Sequence, residues 1–179
     1  SRRQRQMCIR DRLSIGEKPT IAIQNPAASL RMALAEALMN LVSVPIVSLD
    51  LVRLSANWMA ACGEDQDDYA LRLGVEALSD MCIQLGIAIP VGKDSLSMRT
   101  SWSENQEDFE VKSPLSGVIT AMAPVSNVSM AITTELDRQG SSDFYHLTLS
   151  NQTRMGGSIF EEVTSSFLHE TPDIEDVQI

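Results

Sequence analysis

Two stretches of this chain carry apolar residues at helical spacing. In residues 27–42, Leu30, Ala33, Leu34, Ala37, Leu38 and Leu41 make one stripe. Asn25 and Pro26 suit the cap and first turn of that helix, and Pro45 stops it. In residues 68–85 the stripe is Leu71, Val75, Leu78, Met81, Cys82 and Leu85, with Gly86 placed to close the helix. The acidic run before it, GEDQDD at 63–68, reads as a solvated turn with helix-start signals. It lacks the spacing and the terminal Glu of an EF-hand loop.

Apolar and β-branched runs predict the strands. They fall at 20–23, at 45–54 with an extended continuation to Met59, at 87–91, at 96–102 and at 115–123, where Pro124 ends the last. The 87–91 run is continuously apolar, as in a strand covered on both faces. The polar stretch 103–112 reads as a hairpin connection. Residues 125–140 show no dominant period, and Gly140 to Asp143 is linker-like. Residues 144–149 alternate and open a new unit, and RMGGS at 154–158 leads into a helix over 158–168. Helices and strands alternating in this way predict an α/β (α+β) fold.

Composition narrows the picture. With 179 residues, 44% of them hydrophobic, the chain can bury a sizeable core. Aromatics are only 4%, so packing rests on Ala, Leu, Ile, Val and nine Met. A net charge of −10 argues against a broad nucleic-acid surface. No apolar run approaches the length of a membrane span. Cys8, Cys62 and Cys82 are spaced too widely for a metal motif and read as a reduced, cytoplasmic set. Residues 1–12 differ from the rest: five Arg face a single acid, Asp11. That segment reads as foreign to the domain.

Candidate chemistry sits in two places. IPVGKDSLSM at 89–98 ends an apolar run at Gly92 and then presents Lys93, Asp94 and Ser95 in direct succession. A strand tip carrying a cation, an anion and a hydroxyl is a plausible site-building turn, because ligands gather beyond the carboxyl ends of strands. A plain turn with solvated polar residues is the commoner fate of such a run. On the first helix, Glu36 and Asn40 lie about 40° apart and one turn along the axis. They present a carboxylate and an amide oxygen together, the hard oxygen ligands that Mg²⁺ takes. On pattern alone that face reads as solvated. His146 and His169 have no neighbouring nucleophile or second ligand in sequence and read as structural or exposed.

Placed in order, GEKP (16–19), AEALMNL (35–41), LSANWMAA (54–61), IPVGKDSLSM and SPL (113–115) closely resemble the phosphoribosylformylglycinamidine synthase family, large single-chain type. The resemblance runs from about Ile15 to the end of the chain. It implies an aminoimidazole-ribonucleotide-synthetase-like N-terminal domain over 13–140, whose sheet pairs into a barrel. Residues 141–179 would then begin the following C-terminal α/β domain.

The implied activity converts formylglycinamide ribonucleotide to formylglycinamidine ribonucleotide, with ATP, Mg²⁺ and ammonia from glutamine. The segment matches the second synthetase half. The first half and the glutaminase domain are expected elsewhere, as partners of this piece. Glu36 and Asn40 match the family's Glu-x-x-x-Asn, which holds Mg²⁺ at an auxiliary ATP/ADP site. The resemblance therefore reverses the solvated-face reading. Lys93, Asp94 and Ser95 match the family's turn, with Lys93 expected to compensate phosphate charge and Asp94 to position it or a water. On its own the segment is expected to be inactive and to expose apolar surface. Neither nucleic acid nor membrane is expected as a partner. A non-catalytic Mg-nucleotide module, or another ATP-dependent synthetase of the same fold, is the alternative.

Overall fold

The computed structural model describes residues 11–133, 135, 140, 143, 145, 146 and 152–174. Strand β1 (Asp11–Gly16) leads through a single-turn helix α1 (Pro19–Ala22) into α2 (Pro26–Leu41). A 3-10 turn (Leu49–Leu51) precedes β2 (Arg53–Met59), α3 (Asp65–Leu85) and β3 (Ala88–Ser95). A hairpin, β4 (Arg99–Glu104) with β5 (Glu107–Lys112), is followed by β6 (Ser116–Pro124). Beyond a second 3-10 turn (Val128–Met130), the short helix α4 (Ile159–Thr164) stands in the last described segment.

Four strands form one open sheet in the order β1-β6-β2-β3. Strand β6 runs antiparallel to both β1 and β2, whereas β2 and β3 are parallel, joined by α3 as the crossover. Strands β1, β2 and β3 therefore end at the same edge of the sheet. Helices α2 and α3 pack together over one face. Period-two alternation sends Leu54 and Ala56 of β2, and Ile119, Ala121 and Ala123 of β6, into that layer. There they meet Leu30, Leu34 and Leu41 of α2 and Leu78 of α3, all essentially inaccessible to water. Each such side chain contributes about 1.5–3 kcal/mol relative to leaving it exposed.

The other face of the sheet is bare among the described residues. Leu13 and Ile15 of β1 and Val91 of β3 lie there more than half exposed, at 60%, 56% and 55%. Among the described residues no second sheet closes over them, since the other two strands there form their own hairpin.

The helix predictions hold closely. Asn25 accepts the Ala28 N–H at 3.0 Å, Pro26 opens α2, and Gly86 closes α3 in the left-handed region. The acidic run 63–68 is the entry to α3. Its Glu64 and Asp67 pair with Lys112 at 2.5 and 3.4 Å, and Glu64 with Arg99 at 3.0 Å, which pins the hairpin to the start of the helix.

Several strand predictions do not hold. Residues 19–22 form a helical turn, because Pro19 at its first position outweighs the β-branched character of Thr20 and Ile21. The predicted strand 45–54 is mostly turn. Only an isolated bridge from Ile46 to Val125 and the 3-10 turn precede β2, which starts at Arg53. The hairpin expected over 103–112 is present, but its turn is only Asn105 and Gln106, both at positive φ, so that 107–112 is a full strand. Strand β3 is an exposed edge rather than a strand covered on both faces. Helix α4 stops at Thr164, since Ser165 turns left-handed. Asp11 and Arg12 belong to the sheet, paired with Pro124 and Ala123, so these two residues are part of the domain rather than of a foreign leader. The predicted strand 144–149 falls largely outside the described residues.

Candidate functional site

Strand β1 crosses α2 at van der Waals limits. A Cβ at Gly16 would stand 2.0 Å from the Ala33 carbonyl oxygen and 2.5 Å from the Ala37 nitrogen, so only glycine fits. Ser14 Oγ donates to the Ala37 carbonyl at 2.6 Å along the same seam. This crossing lays the backbone of residues 15–18 beside the outer turns of α2.

Glu36 and Asn40 receive it. The Glu17 N–H donates to Glu36 Oε2 at 2.8 Å, and Lys18 Nζ lies 2.5 Å from Glu36 Oε1. Asn40 Nδ2 donates to the Ile15 carbonyl at 3.0 Å. Ser29 Oγ donates to the Lys18 carbonyl at 2.6 Å, which fixes the segment at its far end. Partial burial pushes the Glu36 carboxyl up. The hydrogen bonds from Lys18 and the Glu17 amide, with the Lys18 charge, outweigh it and hold the group below its ordinary range.

Both expected metal ligands thus bond one segment, residues 15–18, which also brings Lys18 to Glu36. Their donor set suits a hard cation. Glu36 offers carboxylate oxygens, and Asn40, its nitrogen committed to Ile15, keeps its amide oxygen as an acceptor. The set is partial. Among the described residues no group of three or more His, Cys, Asp or Glu converges as a metal site. Mg²⁺ usually keeps several waters and takes one or two carboxylates with substrate phosphates, so two protein oxygens are compatible with it.

Lys93, Asp94 and Ser95 are placed differently from the expectation. They lie within β3, not in a turn after it, in register with Asn57, Trp58 and Met59 of β2. Alternation puts Lys93 and Ser95 on the bare face, where Lys93 Nζ meets Ser95 Oγ at 2.6 Å beside Asn57, and Asp94 on the other. The triplet is therefore split. Gly92 does not free the backbone for a ligand: a Cβ there would stand 2.5 Å from the Ala56 carbonyl, so it serves the close approach of β2 and β3.

The two candidate sites do not merge. One row of pairs, Gly16–Ile119–Ala56–Gly92, spans the sheet, so both sites lie at its carboxyl-end edge. They sit at opposite outer strands, three spacings or about 14 Å apart.

Sequence reasoning also missed a docked segment. Residues 152–174 return to α1 and α2. Arg31 Nε and Nη2 bond both oxygens of buried Asp173, at 2.7 and 2.6 Å. The Glu161 carboxylate accepts the N–H groups of Gly157 and Leu168 and the Gln24 amide. Between them lies a polar cleft of about 400 Å³, lined in part by Arg154, His169 and Glu170. No pattern signals these pairs, because Arg31 and Asp173 are 142 residues apart. His169 packs edge-on against Phe167, and His146 is exposed. Cys82 is buried, which pushes its thiol up to about 11, away from reactivity at neutral pH. Among the described residues no helix is long and apolar enough to cross a membrane.

A family model described as the FGAR-AT PurM_N-like domain matches residues 4–124, about two thirds of the chain. The chain belongs to this family. The match opens inside the arginine-rich leader that the sequence reading had set aside. The chain is 41% identical over 170 residues to phosphoribosylformylglycinamidine synthase of Schizosaccharomyces pombe, covering 92% of this chain. It spans only 13% of that relative's length. Among solved structures it is similar to PurLQS from Thermotoga maritima, with TM-score 0.47, 19% identity, and coverage of 64% of this chain and 18% of that one. T. maritima PurL complexed with ATP gives TM-score 0.45, 19% identity and the same coverages. The PurM-like N-terminal fold anticipated from the motifs is the fold the family match shows, with its sheet open in this chain.

Proposed function

We propose that this chain contributes a Mg-nucleotide site and scaffold to a glutamine-dependent phosphoribosylformylglycinamidine synthase. That enzyme would convert formylglycinamide ribonucleotide to formylglycinamidine ribonucleotide in the cytoplasm, drawing on ATP and on ammonia from a glutaminase domain. The relative of that name supports the enzyme, and its far greater length supports a division of labour with other segments. The observation that supports the local role is that Glu36 and Asn40 both bond the segment leaving β1, through the Glu17 N–H and the Ile15 carbonyl.

When bound, Mg²⁺ would neutralise nucleotide phosphate charge. Glu36 would hold it through a carboxylate oxygen and Asn40 through its amide oxygen. Lys93 and Ser95, with Asn57 beside them, would face a phosphate or ribonucleotide group across the bare side of the sheet. Asp94 points away from that side and would act only on the other. Residues 13–140 would form the N-terminal domain, now with Asp11 and Arg12 included, and 141–179 would open the next one. The bare face would take a homologous sheet from the missing half, since its apolar residues need cover.

The test is nucleotide binding by the full-length protein with Glu36→Gln and Asn40→Ala combined. The proposal expects one Mg-nucleotide site to be lost while another, in the other half, is kept. Unchanged stoichiometry and affinity would remove Glu36 and Asn40 from the site.

A further inference from the structure

Both Glu36 carboxylate oxygens already have a donor, which a metal site must accommodate. Oε2 takes the Glu17 N–H, a backbone group locked in place by the contact of Gly16 with α2. Oε1 takes the Lys18 ammonium, at the end of a flexible stem that leaves its side chain one-third exposed. Of the two donors only Lys18 can leave without moving the backbone. We propose that Lys18 is the resident counter-cation of the Glu36–Asn40 site, and that a divalent cation reaches Glu36 Oε1 by displacing the Lys18 ammonium. The inference rests on the metal reading of Glu36 and Asn40.

Three features support it. The Lys18–Glu36 contact is a side-chain ion pair on Oε1, the carboxylate oxygen that the metal would take. Asn40 is already oriented by Ile15, so exchanging one cation for another leaves the second ligand undisturbed. Lys18 is held by its own carbonyl through Ser29, so its ammonium stays near the site after release. A released ammonium beside a bound cation would face the phosphates that a nucleotide brings. Lysine binds such groups as a point charge. A free cation, lacking phosphates, meets only the competition.

The experiment is a Mn²⁺ titration of the full-length protein, followed by electron paramagnetic resonance. Wild type is compared with Lys18→Met and Lys18→Gln, and each background is also carried with Glu36→Gln to isolate this site. An exposed ion pair of this kind is modest, so its removal is expected to tighten Mn²⁺ binding about two- to fivefold. Lys18→Arg, which keeps a cation, is expected to bind as wild type does. Unchanged or weaker Mn²⁺ binding in both Lys18→Met and Lys18→Gln would overturn the inference while leaving the metal site intact. If Glu36→Gln changes nothing in any background, the metal reading falls, and the Lys18 role with it.

Discussion

The exits of β1 and β3 lie at one edge of the sheet and carry the two candidate sites, yet they are built differently. At β1, Glu36 and Asn40 are gripped by a carbonyl, an amide and an ammonium from a segment that glycine seats against α2. At β3, the side chains of Lys93 and Ser95 bond to each other on an exposed edge strand. A site held from several elements is preorganised for its ligand. One resting on a single strand needs a second surface to complete it. The first region therefore holds its own geometry, and the second, in the proposed reading, would be completed by a partner across the bare face.

The largest effect that would sharpen this contrast is Gly16→Val. Its side chain has to displace the Ala33 carbonyl, so β1 must lift from α2 at a cost of about 3 kcal/mol. Chemical denaturation should show the loss, and metal binding at Glu36 should go with it. A near-native midpoint would mean that the seam is not close-packed.

A smaller effect concerns the docked segment 152–174. The Gly157 N–H holds the Glu161 carboxyl below its ordinary range. Burial opposes the shift, whereas the Leu168 N–H, Gln24 and the His169 charge reinforce it. A lowered folded-state value makes this contribution complete above the unfolded carboxylate range, near pH 4–5. It is lost as pH falls through the lowered value. The protection of amides in 152–174, relative to their intrinsic exchange at each pH, should fall over that acid window in wild type and lose that dependence in Glu161→Gln. Identical profiles would show that the carboxylate does not latch the segment.

The smallest expected effect is Lys93→Ala. The side chain is exposed and bonds only Ser95, so stability should change by less than about 0.5 kcal/mol. Substrate affinity in the assembled enzyme should fall. A large stability loss would place Lys93 in the framework instead and erase the contrast with β1.

The helices were legible because their stripes are long and capped: Asn25-Pro26 and Gly86 mark ends that the structure keeps. Glu36 and Asn40 were legible as a pair because helix geometry alone puts them on one face. Their partners were not, since Ile15, Glu17 and Lys18 arrive through a tertiary crossing. Lys93, Asp94 and Ser95 were found as a motif but misplaced. Gly92 looked like the end of a strand, when its lack of a Cβ actually lets β3 continue beside Ala56. Short β-branched runs mislead at 20–23 and 45–54, where prolines and polar residues at Ser48 and Asp50 favour turns.

The most direct measurement is the anomalous scattering of Mn²⁺ in crystals of the full-length protein grown with ADP. The account predicts a peak between the Glu36 carboxylate and the Asn40 amide oxygen, with Lys18 turned away from Oε1. Bound nucleotide and metal elsewhere, with the Lys18–Glu36 pair intact, would contradict it.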